Sequence, residues 1–253
     1  MKYNRYLPLI IPMLVWLAQE IFLSYPSLIY VVLVIILLLI FFALRQFTRS
    51  SGADERWWNF FILPALSSMA VIVYSTLQDS HWLIQFLFFL NLAVLYLYFR
   101  FAYYFLLQPL GYKIASIENV SQYTNFLIFF FFAAGLYGFQ AFLNMPGWLI
   151  AFSVALLSIL ICYQLLWANK FNIRENTIYI FLPSLILAEL AWAIAFLPLN
   201  NNIAGFTLAI FYYMIIGLMR QELLKTLDRS RTALYVGFGL ASIVIIMLTA
   251  RWF

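Results

Sequence analysis

Glu189 places a carboxyl among Leu187, Ala188, Leu190 and Ala191, inside an apolar stretch (178–198) of the length a bilayer-spanning helix requires. It falls about 11 residues into that stretch, roughly 16 Å along a helix at about 1.5 Å per residue, which predicts a position near the bilayer midplane. Lipid favours the neutral acid unless a cation or hydrogen-bond donors compensate. A group that gains and loses a proton at that depth suits a proton- or cation-coupled carrier. The competing reading is a protonated acid that hydrogen-bonds a neighbouring helix.

Depth selects its candidate companions in an ion- or substrate-binding site. Asn91, Ser67 and Ser68 fall near the same predicted level. Arg100 lies closer to the predicted inner face and reads as a side chain that snorkels to headgroups, with an upward reach to Glu189 as the alternative. Glu20, beside Gln19, and Gln140 sit further out, either lining an outward vestibule or hydrated at the interface. Asp79 and His81 share one short turn, where they serve either as an acid and a base or as solvated surface groups.

The usual catalytic machinery is missing from the sequence. No lysine lies within a span, so a retinal Schiff base has no attachment point, and the one histidine is at a predicted membrane edge. There is no phosphate loop of the Gly-x-x-x-x-Gly-Lys type, no Asp-rich prenyl-diphosphate motif and no paired-Glu intramembrane protease motif. The single cysteine, Cys162, excludes an intramolecular disulfide and a thiolate metal cluster. The residues therefore assign no catalytic group, no metal and no cofactor. The reading leans away from an enzyme.

The elements that position these groups follow from hydropathy. Of 253 residues, 66% are hydrophobic and 9% charged, where soluble domains carry about a quarter charged. Lipid must replace water as the solvent of most of the surface. Nine stretches approach spanning length: 7–23, 28–44, 58–77, 82–107, 122–143, 148–168, 178–198, 203–219 and 233–250. Ser24-Tyr25-Pro26-Ser27, Gln78-Asp79-Ser80-His81, Asn144-Met145-Pro146-Gly147 and Leu199-Asn200-Asn201-Asn202 separate them pairwise as turns. The predicted fold is all-α: a polytopic transmembrane helical bundle of about nine helices, arranged as four hairpins plus one. It forms a single integral membrane domain over 1–253 with no soluble domain. Lys2 and Arg5 precede the first stretch like a signal peptide. Glu20 and the absence of Ala-x-Ala favour a retained span.

All but two of the 14 Lys and Arg residues occupy alternate gaps between the stretches; Arg100 and Arg251 are the exceptions. Short basic loops face the cytoplasm, so the N-terminus is expected inside and the C-terminus outside a cell (cytoplasmic or inner) membrane. Trp57, Trp58 and Trp167 at predicted inner ends, with Trp82, Trp148 and Trp252 at outer ends, fit the interfacial preference of tryptophan. The same basic loops suit anionic headgroups rather than nucleic acid, at about 1 kcal/mol per charge near the surface. The expected partners are the lipid bilayer and other membrane subunits, with no nucleic acid and an unassigned small-molecule substrate. A cysteine replacing Ser80 is expected to react with an impermeant thiol reagent added outside cells, and one replacing Ser51 is not; the opposite pattern would invert the topology.

Two stripes of small residues read as helix-packing faces: Ala233, Gly237 and Ala241 on the ninth helix, and Ser184, Ala188, Ala191 and Ala195 on the seventh. Leu223, Leu224 and Leu227 recur among charges, which predicts that the eighth helix runs on as an amphipathic segment through 220–232. Leu7-Pro8, Leu63-Pro64 and Leu182-Pro183 read as first-turn prolines. The segment Arg56-Trp57-Trp58-Asn59-Phe60-Phe61-Ile62-Leu63-Pro64, followed by hairpins with short outer loops, resembles uncharacterised multi-pass membrane families of bacteria, a resemblance that implies no activity. Three functions fit these residues. One is a small carrier or permease-like subunit for transport that uses Glu189. The second is a non-catalytic membrane scaffold or assembly subunit. The third is an outer-leaflet lipid-modifying enzyme that uses Asp79, His81 or Glu20.

Overall fold

Each apolar stretch becomes a helix. The computed structural model describes residues 5–51, 57–108 and 116–249; Lys2, Arg56, Lys113, Arg251 and Trp252, which entered the topology argument, lie outside them. Among the described residues the α-helices are α1 (Leu7–Ser24), α2 (Ile29–Ser51), α3 (Trp57–Ser75), α4 (His81–Leu107), α5 (Ser116–Leu143), α6 (Gly147–Ala168), α7 (Ile178–Ile194), α8 (Asn201–Leu223) and α9 (Arg229–Thr249). Eight are long and apolar enough to cross a membrane, while α7 has 17 residues. With lipid as solvent, every backbone polar group must be satisfied internally, and helices do this within one segment. The chain is a multi-pass membrane protein.

The four predicted hairpin turns are present. A short 3-10 turn at Pro26–Leu28 separates α1 from α2. Asn144 follows α5 in the left-handed region, at φ 53°. Asn200 caps α8, its side-chain oxygen accepting from the Asn202 N–H at 3.0 Å.

At the other helix ends the chain stops in a way the sequence reading did not anticipate. Lys170 and Lys225 adopt positive φ, 60° and 53°. The following amides, Phe171 and Thr226, donate back to the Leu166 and Gln221 carbonyls at 3.0 and 2.9 Å. Those bonds close Schellman-type caps. The cap at Lys225 ends α8 at Leu223, so the amphipathic continuation expected through 220–232 is replaced by a turn and the start of α9.

Two prolines are also displaced from expectation. Pro64 is the eighth residue of α3 and Pro183 the sixth of α7, because both helices begin about a turn earlier than the Leu-Pro pairs suggest. Leu7-Pro8 does open α1.

The chain divides into two compact units: residues 1–125 with 167–169, and residues 126–166 with 170–253. In the first, α1 packs on α4 and α2, and α3 packs on α2 and α4. Its interior is filled by Val15, Ile36, Ile40, Leu44, Phe47, Phe60, Leu95 and Phe99. Phe42, Phe86 and Phe89 stand exposed, an ordinary arrangement where the surrounding solvent is lipid. In the second unit α8 packs on α7 and α9, and the Phe129 and Tyr212 rings stack at 4.4 Å. Helix α9 is the least covered: only 6% of its apolar window is buried.

Candidate functional site: polar groups of the spanning helices

Within the first unit, three predicted companions come together. Ser67 and Ser68 on α3 and Asn91 on α4 are all buried. The Ser67 hydroxyl donates to Asn91 Oδ1 at 3.0 Å, and Asn91 Nδ2 donates to Ser68 Oγ at 3.4 Å. Apolar neighbours keep water away, so these groups satisfy one another and lock α3 to α4. Interhelical hydrogen bonds of this kind contribute about 0.6 kcal/mol on average in membranes.

Glu20 finds a partner the sequence did not single out. Its Oε2 accepts from Gln85 Nε2 on α4 at 2.9 Å. Its other oxygen is buried without a partner among the described residues, as are both amide atoms of the adjacent, fully buried Gln19. Arg100 does not meet an acid among the described residues. It is exposed, donates to the Tyr96 hydroxyl at 3.4 Å, and lies 6.0 Å from the ring centroids of both Tyr96 and Tyr104.

Tyr98 is a polar group that sequence reasoning passed over. Proline has no N–H, so Pro64 leaves the carbonyl four residues earlier, Phe60, without its helical donor. The fully buried Tyr98 on α4 supplies one, its hydroxyl donating to that carbonyl at 3.0 Å. The signal was available: an interior proline in a membrane helix calls for an outside donor.

In the second unit, Gln140 on α5 donates to the Ala195 carbonyl at 3.0 Å, a helix-end acceptor just past α7. One turn below, the Tyr137 hydroxyl donates to the Ala191 carbonyl at 3.0 Å. Ser184 returns its hydroxyl to Ile180 at 2.6 Å. The α7 stripe is turned inward, with Ser184 and Ala191 buried and Ala188 and Ala195 half-buried. The α9 stripe is turned out: Ala233, Gly237 and Ala241 are exposed, and a Cβ at Gly237 would meet nothing within 4 Å.

Glu189 is exposed, and makes no hydrogen bond or ion pair among the described residues. The residues one turn away on either side, Leu185, Ile186 and Trp192, are exposed as well, so the carboxyl sits in the middle of an open apolar face. Because α7 ends at Ile194, it lies roughly 16 Å from the helix start and roughly 8 Å from its end. That is nearer the Asn200 turn than the sequence placed it.

A family model described as a protein of unknown function (DUF5656) matches residues 9–249. No curated protein and no solved structure matches the chain.

Proposed function

The chain belongs to the DUF5656 family of proteins of unknown function, and from that premise we propose that it is a non-catalytic membrane scaffold that associates with copies of itself through the outward face of α7. The observation that carries this reading is the exposed Glu189, ringed by Leu185, Ile186 and Trp192. A carboxyl facing lipid is costly, and a neutral carboxyl both donates and accepts hydrogen bonds. A two-fold axis through that face would bring one Glu189 onto another, and each would satisfy its partner. The outward Ala233, Gly237 and Ala241 stripe offers a second face on which backbones of neighbouring copies can approach closely.

The carrier reading uses the same residue differently, as a proton-exchanging group. Less supports it, because Ser67, Ser68 and Asn91 are bonded to one another, and Gln140 is bonded to a helix end. The two readings separate on substitution. Two differently tagged copies carrying a photocrosslinking side chain in place of Trp192 are expected to form an adduct that contains both tags. Glu189→Leu should reduce that adduct several-fold, while Glu189→Gln, whose amide also donates and accepts, should keep most of it. Adducts to lipid alone, or an adduct indifferent to Glu189→Leu, would overturn the scaffold. The carrier predicts the reverse sensitivity: proton-coupled uptake lost in Glu189→Gln with self-association intact.

A further inference from the structure

We propose that a cleft between the start of α1 and the last turns of α4 binds a phosphoryl group, carried by an anionic phospholipid headgroup or by a soluble phosphate ester. The cleft encloses about 490 Å³ and is lined by Arg5, Arg100, Tyr96, Tyr103, Tyr104 and Gln108, among others. That volume is in the range of small-molecule sites, roughly 300–1,000 Å³. Two guanidinium groups border one cavity, and neither has a carboxylate partner among the described residues.

Simple snorkelling accounts for one long side chain reaching water. It does not account for two arginines that converge on a shared cavity. Arg100 is held rather than free: it donates to the Tyr96 hydroxyl at 3.4 Å and lies over the Tyr96 and Tyr104 rings. Tyr103 is fixed in turn, its ring 5.7 Å from that of Tyr104 and 6.0 Å from that of Phe47. The tyrosine hydroxyls and the Gln108 amide add neutral donors beside the two charges.

A phosphoryl group offers several oxygens spread around one centre, and planar guanidinium forks match that geometry better than a point charge does. Arg100 lies roughly 10 Å before the end of α4, at about 1.5 Å per residue. The unfavourable dipole of the terminal carbonyls falls off within the last turn and is weak at that distance. This end of the first unit carries the basic residues expected to face the cytoplasmic leaflet, where anionic headgroups are concentrated.

The test uses the full chain purified in maltoside micelles, with bound ligand counted by native mass spectrometry. Phosphatidylglycerol, phosphatidylcholine and glycerol 3-phosphate are titrated separately. The wild-type chain is expected to retain phosphatidylglycerol at least about tenfold more tightly than phosphatidylcholine, with losses of roughly tenfold in each of Arg5→Gln and Arg100→Gln and roughly a hundredfold in the double variant. Arg100→Lys should fall between wild type and Arg100→Gln, and Arg174→Gln, in a loop of the other unit, should change nothing. Arg5 is exposed outside α1, so Arg5→Gln keeps the experiment readable if the double variant fails to fold. Competition by millimolar glycerol 3-phosphate would identify a soluble ester as the source; none would identify the lipid. Equal retention of both lipids with no glycerol 3-phosphate bound, or full phosphatidylglycerol binding by a folded double variant, would overturn the site.

Discussion

Tyr98→Phe is expected to destabilise the chain by about 1–2 kcal/mol although it removes a single oxygen, and Tyr98→Ala by about 3–5 kcal/mol. The larger figure is the ordinary cost of emptying a fully buried aromatic position. The smaller one is specific to this site. Pro64 leaves the Phe60 carbonyl unpaired in α3, and the Tyr98 hydroxyl replaces the missing donor at 3.0 Å. Hydrogen bonds between membrane helices are usually worth less because the separated helices find other partners. Here α3 on its own has no donor to offer that carbonyl, so the loss should lie near the top of the measured range. The same logic gives the decisive control. Pro64→Ala restores an N–H four residues after Phe60, and in that background Tyr98→Phe should cost about half as much or less. A double-mutant cycle read from unfolding in micelles measures the coupling. Equal penalties in both backgrounds would show that the carbonyl is not what Tyr98 serves.

What the sequence revealed, and what it hid, follows from the physics of lipid. Helix number and the four hairpins were legible because bilayer thickness sets span length and turns need polar or special residues. The faint resemblance of the Arg56–Pro64 segment agrees with a family match that extends over residues 9–249. Helix ends were harder. Lys170 and Lys225 occupy left-handed caps normally signalled by glycine, so the stop after Leu223 carried no residue signal. Rotation about the helix axis was the largest blind spot. In water, polarity marks the outward face; a helix that is apolar all round gives no such mark. Glu189 was therefore identifiable as a carboxyl inside a span, but both sequence readings turned it toward a site or a neighbouring helix, whereas it stands exposed, and the inward and outward stripes of α7 and α9 looked alike. Arg100 was visible as an exception to the basic-loop pattern. Its cleft was not, because the second arginine comes from before α1.

That ambiguity between stripes yields the sharpest packing experiment. Gly237→Ala is expected to be neutral or to stabilise by at most about 1 kcal/mol, since its Cβ meets nothing within 4 Å and alanine is the better helix former. Gly205→Ala is expected to cost about 1–3 kcal/mol, and Gly205→Val to leave little folded protein. The difference lies in what the new atom would strike. At Gly205 a Cβ would stand 2.6 Å from both the Cα and the N of Ala134 on α5, and 2.7 Å from its Cβ. Backbone cannot rotate away, so α8 and α5 would have to separate along their contact. A flexible neighbour would behave differently: at Gly217 the obstacle is the Tyr235 ring and at Gly239 the Met214 side chain, both able to change rotamer. Ala134→Gly should rescue Gly205→Ala only in part, because it removes one close contact of three. Thermal unfolding in micelles, with self-association followed separately, reads each case. A stable Gly205→Val together with a severe Gly237→Ala would mean that α9, and not the α5–α8 contact, is the place where the second unit brings backbones together.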